Sequence, residues 1–395
     1  MTFDGVLDEA QGLLPEAVEL RRRIHKDPEL GLQLPRTQAA ILEALDGLPV
    51  SVTTGTTTTS VVATIEGGAP GKTILLRGDM DALPLHEDTG LDFSSGHDGR
   101  MHACGHDAHV AMLAGAARLL CDRRGELAGT VKLMFQPGEE GHHGARFMLE
   151  EGLLDGGVDG AFAIHASPMF GDGMVAAKPG PMMASADVIT VTITGQGGHA
   201  SAPHTAVDPI PVACEIVQAL QTFMTRRIDV FDPAVLTIAK IEAGTTNNVI
   251  PETATLIGTV RAMSEAARRK VHDGVKRVAE GIAAAHEVAA EVRIDIGFPV
   301  TVNDADFAPY ALDVARRLMG DELVREMATP IMGAEDFSYV LQQVPGAMVF
   351  LGTKPAGMKT APAAHSNRYL LDESCMAAGI AMYSAMALDF LAPTR

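Results

Sequence analysis

The sequence predicts an α/β protein: a mostly parallel sheet covered by helices, interrupted by an inserted domain of ferredoxin-like plan. Three observations carry this. Apolar runs rich in Val, Ile, Leu or Phe occupy residues 72–76, 130–135, 160–164 and 347–351, as expected of short strands buried on both faces. Apolar residues recur at helical spacing over 108–123, between the first two runs, and alternation of strands with helices builds a parallel sheet. Between the Pro- and Gly-rich stretch 178–181 and the turn-like stretch 298–304 the pattern changes to β-α-β-β-α-β.

Each element follows in order. Residues 1–19 mix Asp and Glu into an amphipathic helical pattern and lack the basic start and apolar run of a signal peptide. The Thr-rich stretch 53–59 is a loop or edge strand. Asp79 and Asp81 follow the strand 72–76, Glu139 and Glu140 follow 130–135, and His165 follows 160–164. Ligands of open parallel sheets gather at strand carboxyl ends, and three strand ends here carry chemistry. In the insertion, 187–195, 235–242, 253–261 and 288–296 are strands, while 207–226 and 264–286 are helices. Both helices then lie on one face of the sheet, leaving its other face or edge to pair with something. The longest apolar run, 375–388, contains Gly379, Tyr383 and Ser384 and precedes Asp389, which suits a buried helix better than a membrane span. The expected boundaries are 1–183 and 299–395 for the main domain and 184–298 for the insertion.

Composition narrows the partners. A chain of 395 residues with 47% hydrophobic content can bury more than one core. Its formal charge of −19 argues against nucleic acid, which is held largely by Lys and Arg, and an anionic small substrate would need a local basic residue. Cys104, Cys121, Cys214 and Cys375 are too scattered for a disulfide framework, which points to a reducing compartment, the cytoplasm.

Residues 101–109, Met-His-Ala-Cys-Gly-His-Asp-Ala-His, pack three imidazoles, a thiol and a carboxylate into nine positions. That donor set binds zinc-like divalent ions. A structural zinc site would show a second Cys pair at close spacing, and the other cysteines stand alone. Downstream, Gln136-Pro137-Gly138-Glu139-Glu140 sets two adjacent carboxylates after a turn. Neighbouring side chains point apart, so one can ligate metal while the other holds water, an arrangement suited to hydrolysis. The alternative is a solvated acidic turn.

By these motifs the chain resembles the M20 metallopeptidase family, in its amidohydrolase branch acting on N-acyl and aromatic-acyl amino acids. The resemblance runs nearly end to end. It takes in Arg22-Arg23-Ile24-His25, Pro28-Glu29-Leu30, Arg77-Gly78-Asp79-Met80-Asp81-Ala82-Leu83-Pro84 and the 101–109 cluster. It continues through Glu139-Glu140, His165, Gly197-Gly198-His199-Ala200, Asn248-Val249-Ile250-Pro251, Gly333-Ala334-Glu335-Asp336-Phe337 and His365-Ser366-Asn367. One departure is Leu34, where the family usually has Glu; it lies outside the metal motifs.

The resemblance implies two divalent metal ions per subunit, with Cys104 bridging, His106 and His165 completing one site, and Glu140 and His365 the other. Glu139 becomes the general base, and Asp81 a carboxylate that orients a ligand or the base. His199 is implied to reach a neighbouring subunit's site and stabilise the oxyanion, while Asn248 and Arg261 hold the substrate carbonyl region and carboxylate. The inserted domain becomes a dimerisation and lid domain, so the expected assembly is a homodimer or a dimer of dimers. Zinc or manganese suits the donors, and cobalt is admissible. His102 and His109 match no ligand position and are expected to support structure; His142 and His143 are expected on an exposed loop. Asp107 either caps the following helix or takes a metal role, the cap being at least as well supported. Asp79 either contacts a ligand or stabilises local backbone.

The expected reaction is hydrolysis of an N-acyl amino acid by metal-activated water. Within the same class stand deacetylation of an acetylated diaminopimelate and cleavage of short peptides. From another class stands a metal-dependent binding protein with no chemistry, which would need the ligands but no base.

Overall fold

The computed structural model describes residues 3–393. The chain divides into two compact units: Met1–Met182, Val302–Thr329 and Asp336–Arg395 form one, and Met183–Thr301 with Pro330–Glu335 the other. The second unit thus takes in a short segment, Pro330–Glu335, that lies beyond the expected insertion.

The first unit is built on an eight-stranded sheet. Its centre is parallel: Ala69–Asp79 runs beside Ala128–Gln136 on one side and Gly160–Gly171 on the other, and Gly160–Gly171 pairs in parallel with Gly346–Lys354. The expectation of a mostly parallel sheet needs correction, because the flanks are mixed. Val61–Glu66 pairs antiparallel with both Ser51–Thr54 and Ala128–Gln136, and Val175–Ala177 pairs antiparallel with Gly346–Lys354. A short return joins Ser51–Thr54 to Val61–Glu66, while the other antiparallel pairs join strands far apart in the chain, which strand composition alone does not announce. The Thr-rich stretch is part edge strand and part loop.

Helices Val6–Lys26, His106–Asp122 and Met376–Phe390 pack on one another. Met376–Phe390 is buried almost all round, the fate expected of a helix with no polar face. Among the described residues, no helix is long and apolar enough to cross a membrane. Helix Pro35–Ala44 follows Leu34, which is wholly buried and offers no capping side chain. Glu29 supplies the cap, its Oε2 accepting from the Arg36 and Thr37 amides at 3.0 and 2.9 Å.

In the second unit the strands Ala234–Ala243, Thr253–Ala262, Asp187–Thr194 and Ala289–Ile296 lie side by side in that order, all antiparallel. Ile189, Val191 and Ile193 alternate inward to meet Ile216 and Leu220 of helix Pro209–Arg227 and Val271 and Val275 of helix Glu265–Ala285. Asp208 accepts from the Ile210 amide and Ser264 from the Ala267 amide, at the two helix starts.

Candidate metal centre

The carboxyl ends of the central strands deliver the polar residues to one place within the first unit. Beyond Gln136, Gly138 takes φ +70° and turns the chain so that Glu139 and Glu140 follow. His165 lies within the strand Gly160–Gly171. Cys104 and His106 flank Gly105, which has φ +87° at the start of helix His106–Asp122. A Cβ at Gly105 would stand 3.0 Å from Ala166 Cβ and 3.0 Å from Tyr369 Oη, so both space and backbone require glycine there. His365 adopts φ +66°, and its amide donates to the Ala103 carbonyl at 2.8 Å, which pins it beside Cys104.

Two three-donor groups result, and they share the thiol. In Cys104, His106 and His165, and again in Cys104, Glu140 and His365, one donor atom per residue lies within 4.8 Å of the others. Glu139 joins His106 and Glu140 in a third such group. All but His365 and Glu140 are buried.

The donors fit divalent cations. His165 Nδ1 donates to the Ala166 carbonyl at 2.8 Å, which turns the Nε2 lone pair toward Cys104 Sγ, 3.6 Å away. His106 is wholly buried with neither ring nitrogen hydrogen-bonded, and Glu140 Oε1, 3.2 Å from His365 Nε2, lacks a hydrogen-bonded partner as well. Buried polar atoms left open in this way mark a place for a ligand. Burial opposes a charged thiolate, yet His165 and His106 bring Cys104 down to about 5. The Cys104 thiol and the Glu140 carboxylate beside it lift His365 to about 10. Burial likewise opposes a charged His106, but Asp79, Asp81 and Cys104 raise it well above the usual imidazole range. The anionic donors hold protons on their imidazole neighbours where a cation would compete for them.

Around these donors the structure assigns partners. Asp81 accepts the amides of Glu139 and Glu140 at 2.9 and 3.0 Å, fixing the pair's backbone. Asp79 is paired with Arg77 Nη1 at 2.5 Å and with His109 Nδ1. His109 Nε2 accepts the Ala166 amide at 2.7 Å, so both nitrogens of that ring are engaged inside the protein. Arg77 is fully buried and also reaches Gln136 Oε1 at 2.9 Å and Asp336 Oδ1 at 3.3 Å.

Contrary to the expectation of a cap, Asp107 does not cap its helix. Gly105 occupies the capping position, and the Asp107 carboxylate turns to Arg21 Nε at 3.0 Å and His25 Nδ1 at 2.8 Å. His102 is buried beside this pair, and burial drives it down to about 3. His142 is exposed, but His143 is half-buried with Nδ1 2.9 Å from Tyr339 Oη, so the loop is less open than expected. Sequence reasoning missed Arg77, Gln136 and Asp336 as a set. The available signal was a guanidinium in the middle of an apolar strand, which demands buried carboxylates.

In the second unit, the ladder pairing Val249 with His199 and Ile250 with Gly198 brings His199 and Asn248 together. His199 is exposed, and its Nδ1 accepts the Ser201 amide at 3.1 Å, so its neutral ring carries the proton on Nε2. Arg261 is not brought to them. Val260 pairs with Asp187 at one end of the strand Asp187–Thr194, whereas Thr253 pairs with Thr194 at the end that leads to His199. The eight residue steps from Thr253 to Arg261 span about 26 Å at the rise of a strand, so Arg261 lies at the far end from the one that leads to His199. Arg261 is half-buried, and burial lowers its pKa.

Known proteins are similar to this chain along nearly its whole length. "Thermostable carboxypeptidase 1" of Saccharolobus solfataricus is 38% identical over 377 residues, 94% of this chain and 95% of that protein. "N-acetylcysteine deacetylase" of Bacillus subtilis is 39% identical over 375 residues, 95% of this chain and 96% of that protein. The solved structure of the Bacillus subtilis YXEP protein, described as a dinuclear metal-binding peptidase of the M20 family, superposes with a TM-score of 0.85. It is 36% identical and covers 96% of this chain and 98% of that one. The description of peptidase family M20/M25/M40 matches residues 75–389. By that match and by relatives aligned along nearly its whole length, the chain belongs to peptidase family M20/M25/M40 and is a hydrolase of amide bonds.

Proposed function

We propose that the protein is a two-metal amidohydrolase that cleaves the amide bond of N-acyl amino acids. The observation that carries the reading is the thiol of Cys104 shared by two three-donor groups, with a separate carboxylate, Glu139, alongside. Cys104 would bridge, His106 and His165 would hold one ion, and Glu140 and His365 the other. Thiolate and imidazole suit zinc, and the carboxylate admits manganese or cobalt. What a bound pair of ions supplies is Lewis acidity toward the amide carbonyl and a water of lowered pKa.

The chain's own residues do the rest. Glu139 takes the proton of the attacking water and returns it to the leaving amine. Asp81 holds the Glu139 and Glu140 backbone, so base and ligand keep their separation. His199 offers Nε2–H to the developing oxyanion, for which its Nδ1 contact with Ser201 leaves the right nitrogen protonated. Asn248 steadies the carbonyl region, and Arg261 grips the substrate carboxylate. Because Arg261 lies at the end of the strand Thr253–Ala262 opposite the one that leads to the His199–Asn248 ladder, a single small substrate meets both only when two copies contribute. That supports a homodimer, or a dimer of dimers, in which the second unit also serves as a lid. The cysteines of the described residues are all free, which suits a reducing compartment such as the cytoplasm.

The deacetylase relative favours an N-acyl substrate, and deacetylation of an acetylated diaminopimelate belongs to the same reading. The carboxypeptidase relative favours a second reading, release of an amino acid from a short peptide. A panel of N-acetyl- and N-benzoyl-amino acids beside dipeptides, assayed on protein loaded with zinc, manganese or cobalt, separates the two. In the same assay Glu139→Gln should lower kcat by roughly 10³-fold while metal content stays at the wild-type level. Near-full activity in that variant would remove Glu139 as the base, and no turnover of any substrate by wild type would leave a metal-dependent binding protein.

A further inference from the structure

Away from the metal centre, a concavity of about 380 Å³ lies on the helical face of the second unit, lined by Arg227, Arg269, Lys270 and Arg277 with one acid, Asp273. Among the described residues these four cations make no ion pair. Arg227 ends one helix and the other three lie on Glu265–Ala285, where the neighbouring Arg268 and Lys276 are committed to Asp187 and Glu280. The local excess is therefore three positive charges, in a chain whose formal charge is −19. Charges that only solvate a helix face need not converge on a hollow or go without acids when the chain carries 50 of them.

The hollow is also built. Phe223 contributes to its lining, and the Arg277 guanidinium sits over that ring, 5.6 Å from its centroid. The ring can lie against the facing helix because residue 274 is glycine: a Cβ there would come within 2.0 Å of it. Three guanidinium forks and an ammonium around a small cavity match an anion with several oxygens and more than one charge.

We propose that this hollow binds a small, multiply charged anion of the phosphate class, held by Arg227, Arg269, Lys270 and Arg277. The site is separate from hydrolysis and does not rest on the substrate assignment. Isothermal titration of the metal-loaded protein with pyrophosphate, ADP and acetate, at one ionic strength so that screening is equal, tests it. Pyrophosphate should bind at least tenfold more tightly than acetate, and Arg269→Ala/Arg277→Ala should weaken it about tenfold, the loss expected of removing two exposed charge-assisted contacts. ADP binding more tightly than pyrophosphate would identify a phosphate ester as the occupant, and ADP binding no more tightly the inorganic ion. Asp273→Asn should tighten pyrophosphate about threefold, a gain that misfolding cannot produce. Amide hydrolysis at the wild-type rate in both variants certifies their fold. Pyrophosphate taken up at the metal centre would bind equally to wild type and to Arg269→Ala/Arg277→Ala, and that equality, or an unchanged affinity in Asp273→Asn, overturns the proposal.

Discussion

Replacing Arg77 with Met keeps the side-chain volume and removes the charge on which two buried carboxylates depend. Arg77, Asp79 and Asp336 are all fully buried. Removing one member of a buried ion pair ordinarily costs about 3–5 kcal/mol, because the partner is left charged and dry. Here each carboxylate keeps other donors: Asp79 has His109, and Asp336 has Gln136 Nε2 at 2.6 Å and the Ala145 amide at 3.0 Å. The lower end, about 3 kcal/mol, is therefore expected. Asp79→Asn in the same chain removes the charge that Arg77 neutralises, so the double variant should cost about 2 kcal/mol less than the sum of the singles.

The pH dependence sharpens the test. Burial raises the Asp79 pKa, but Arg77, His106 and His109 outweigh it and hold it well below the carboxylate range. A depressed carboxylate contributes stability above its unfolded pKa and loses it as the pH falls, so wild type should weaken more than Arg77→Met between neutral and acid pH. Urea unfolding followed by circular dichroism, in excess metal and with the larger unit's transition fitted by itself, measures both quantities. Strict additivity of Arg77→Met and Asp79→Asn, or a single-variant loss below about 1 kcal/mol, would refute the account of Arg77 as the neutralising charge.

Cys104→Ala should strip both ions, since both donor groups contain it, whereas His165→Ala should reduce only one; elemental analysis of dialysed protein reads the difference. Burial opposes protonation of His25, but Asp107 and Glu87 raise it to about 9. Its contribution is complete below the unfolded histidine value of about 6.5 and disappears as the pH rises through 9, so wild type should lose up to about 3 kcal/mol relative to His25→Gln over that window. Equal pH profiles in urea melts would rule this out. Gly274→Ala forces a methyl against the Phe223 ring and should destabilise the second unit by about 1–3 kcal/mol, seen as an earlier melting step.

Much of the candidate site was legible because apolar strands end where polar residues begin. Asp81, Glu139, Glu140 and His165 follow or sit in runs whose burial the composition announces, and a parallel centre lines up their ends. The failures have equally local causes. An Asp at the start of a helix is ordinarily its cap, and nothing near Asp107 in the sequence signals that Arg21, eighty-six positions earlier, will claim it. His109 looked like a bystander because the Ala166 amide that its Nε2 accepts lies fifty-seven positions away. The antiparallel flanks of the large sheet were hidden for another reason: Ser51–Thr54 is exposed, Val61–Glu66 alternates and Val175–Ala177 is three residues long, so none stands out as a long apolar run. Arg261 carried the right chemistry for a carboxylate, and only strand register reveals that it stands apart from His199.

The shared thiol has a consequence for how the centre comes into being during synthesis. Once residue 165 has been made, Cys104, His106 and His165 are all present, although the strand that pairs with His165, Gly346–Lys354, is not yet there to hold it. The group of Cys104, Glu140 and His365 waits another two hundred residues, while the whole of Met183–Thr301 is translated in between. A ribosome stalled anywhere in that interval therefore carries one complete trio of donors and a fragment of the other, with Glu139 and Glu140 already in the chain. The two halves of the centre have different birthdays, and the later one is set by a single histidine.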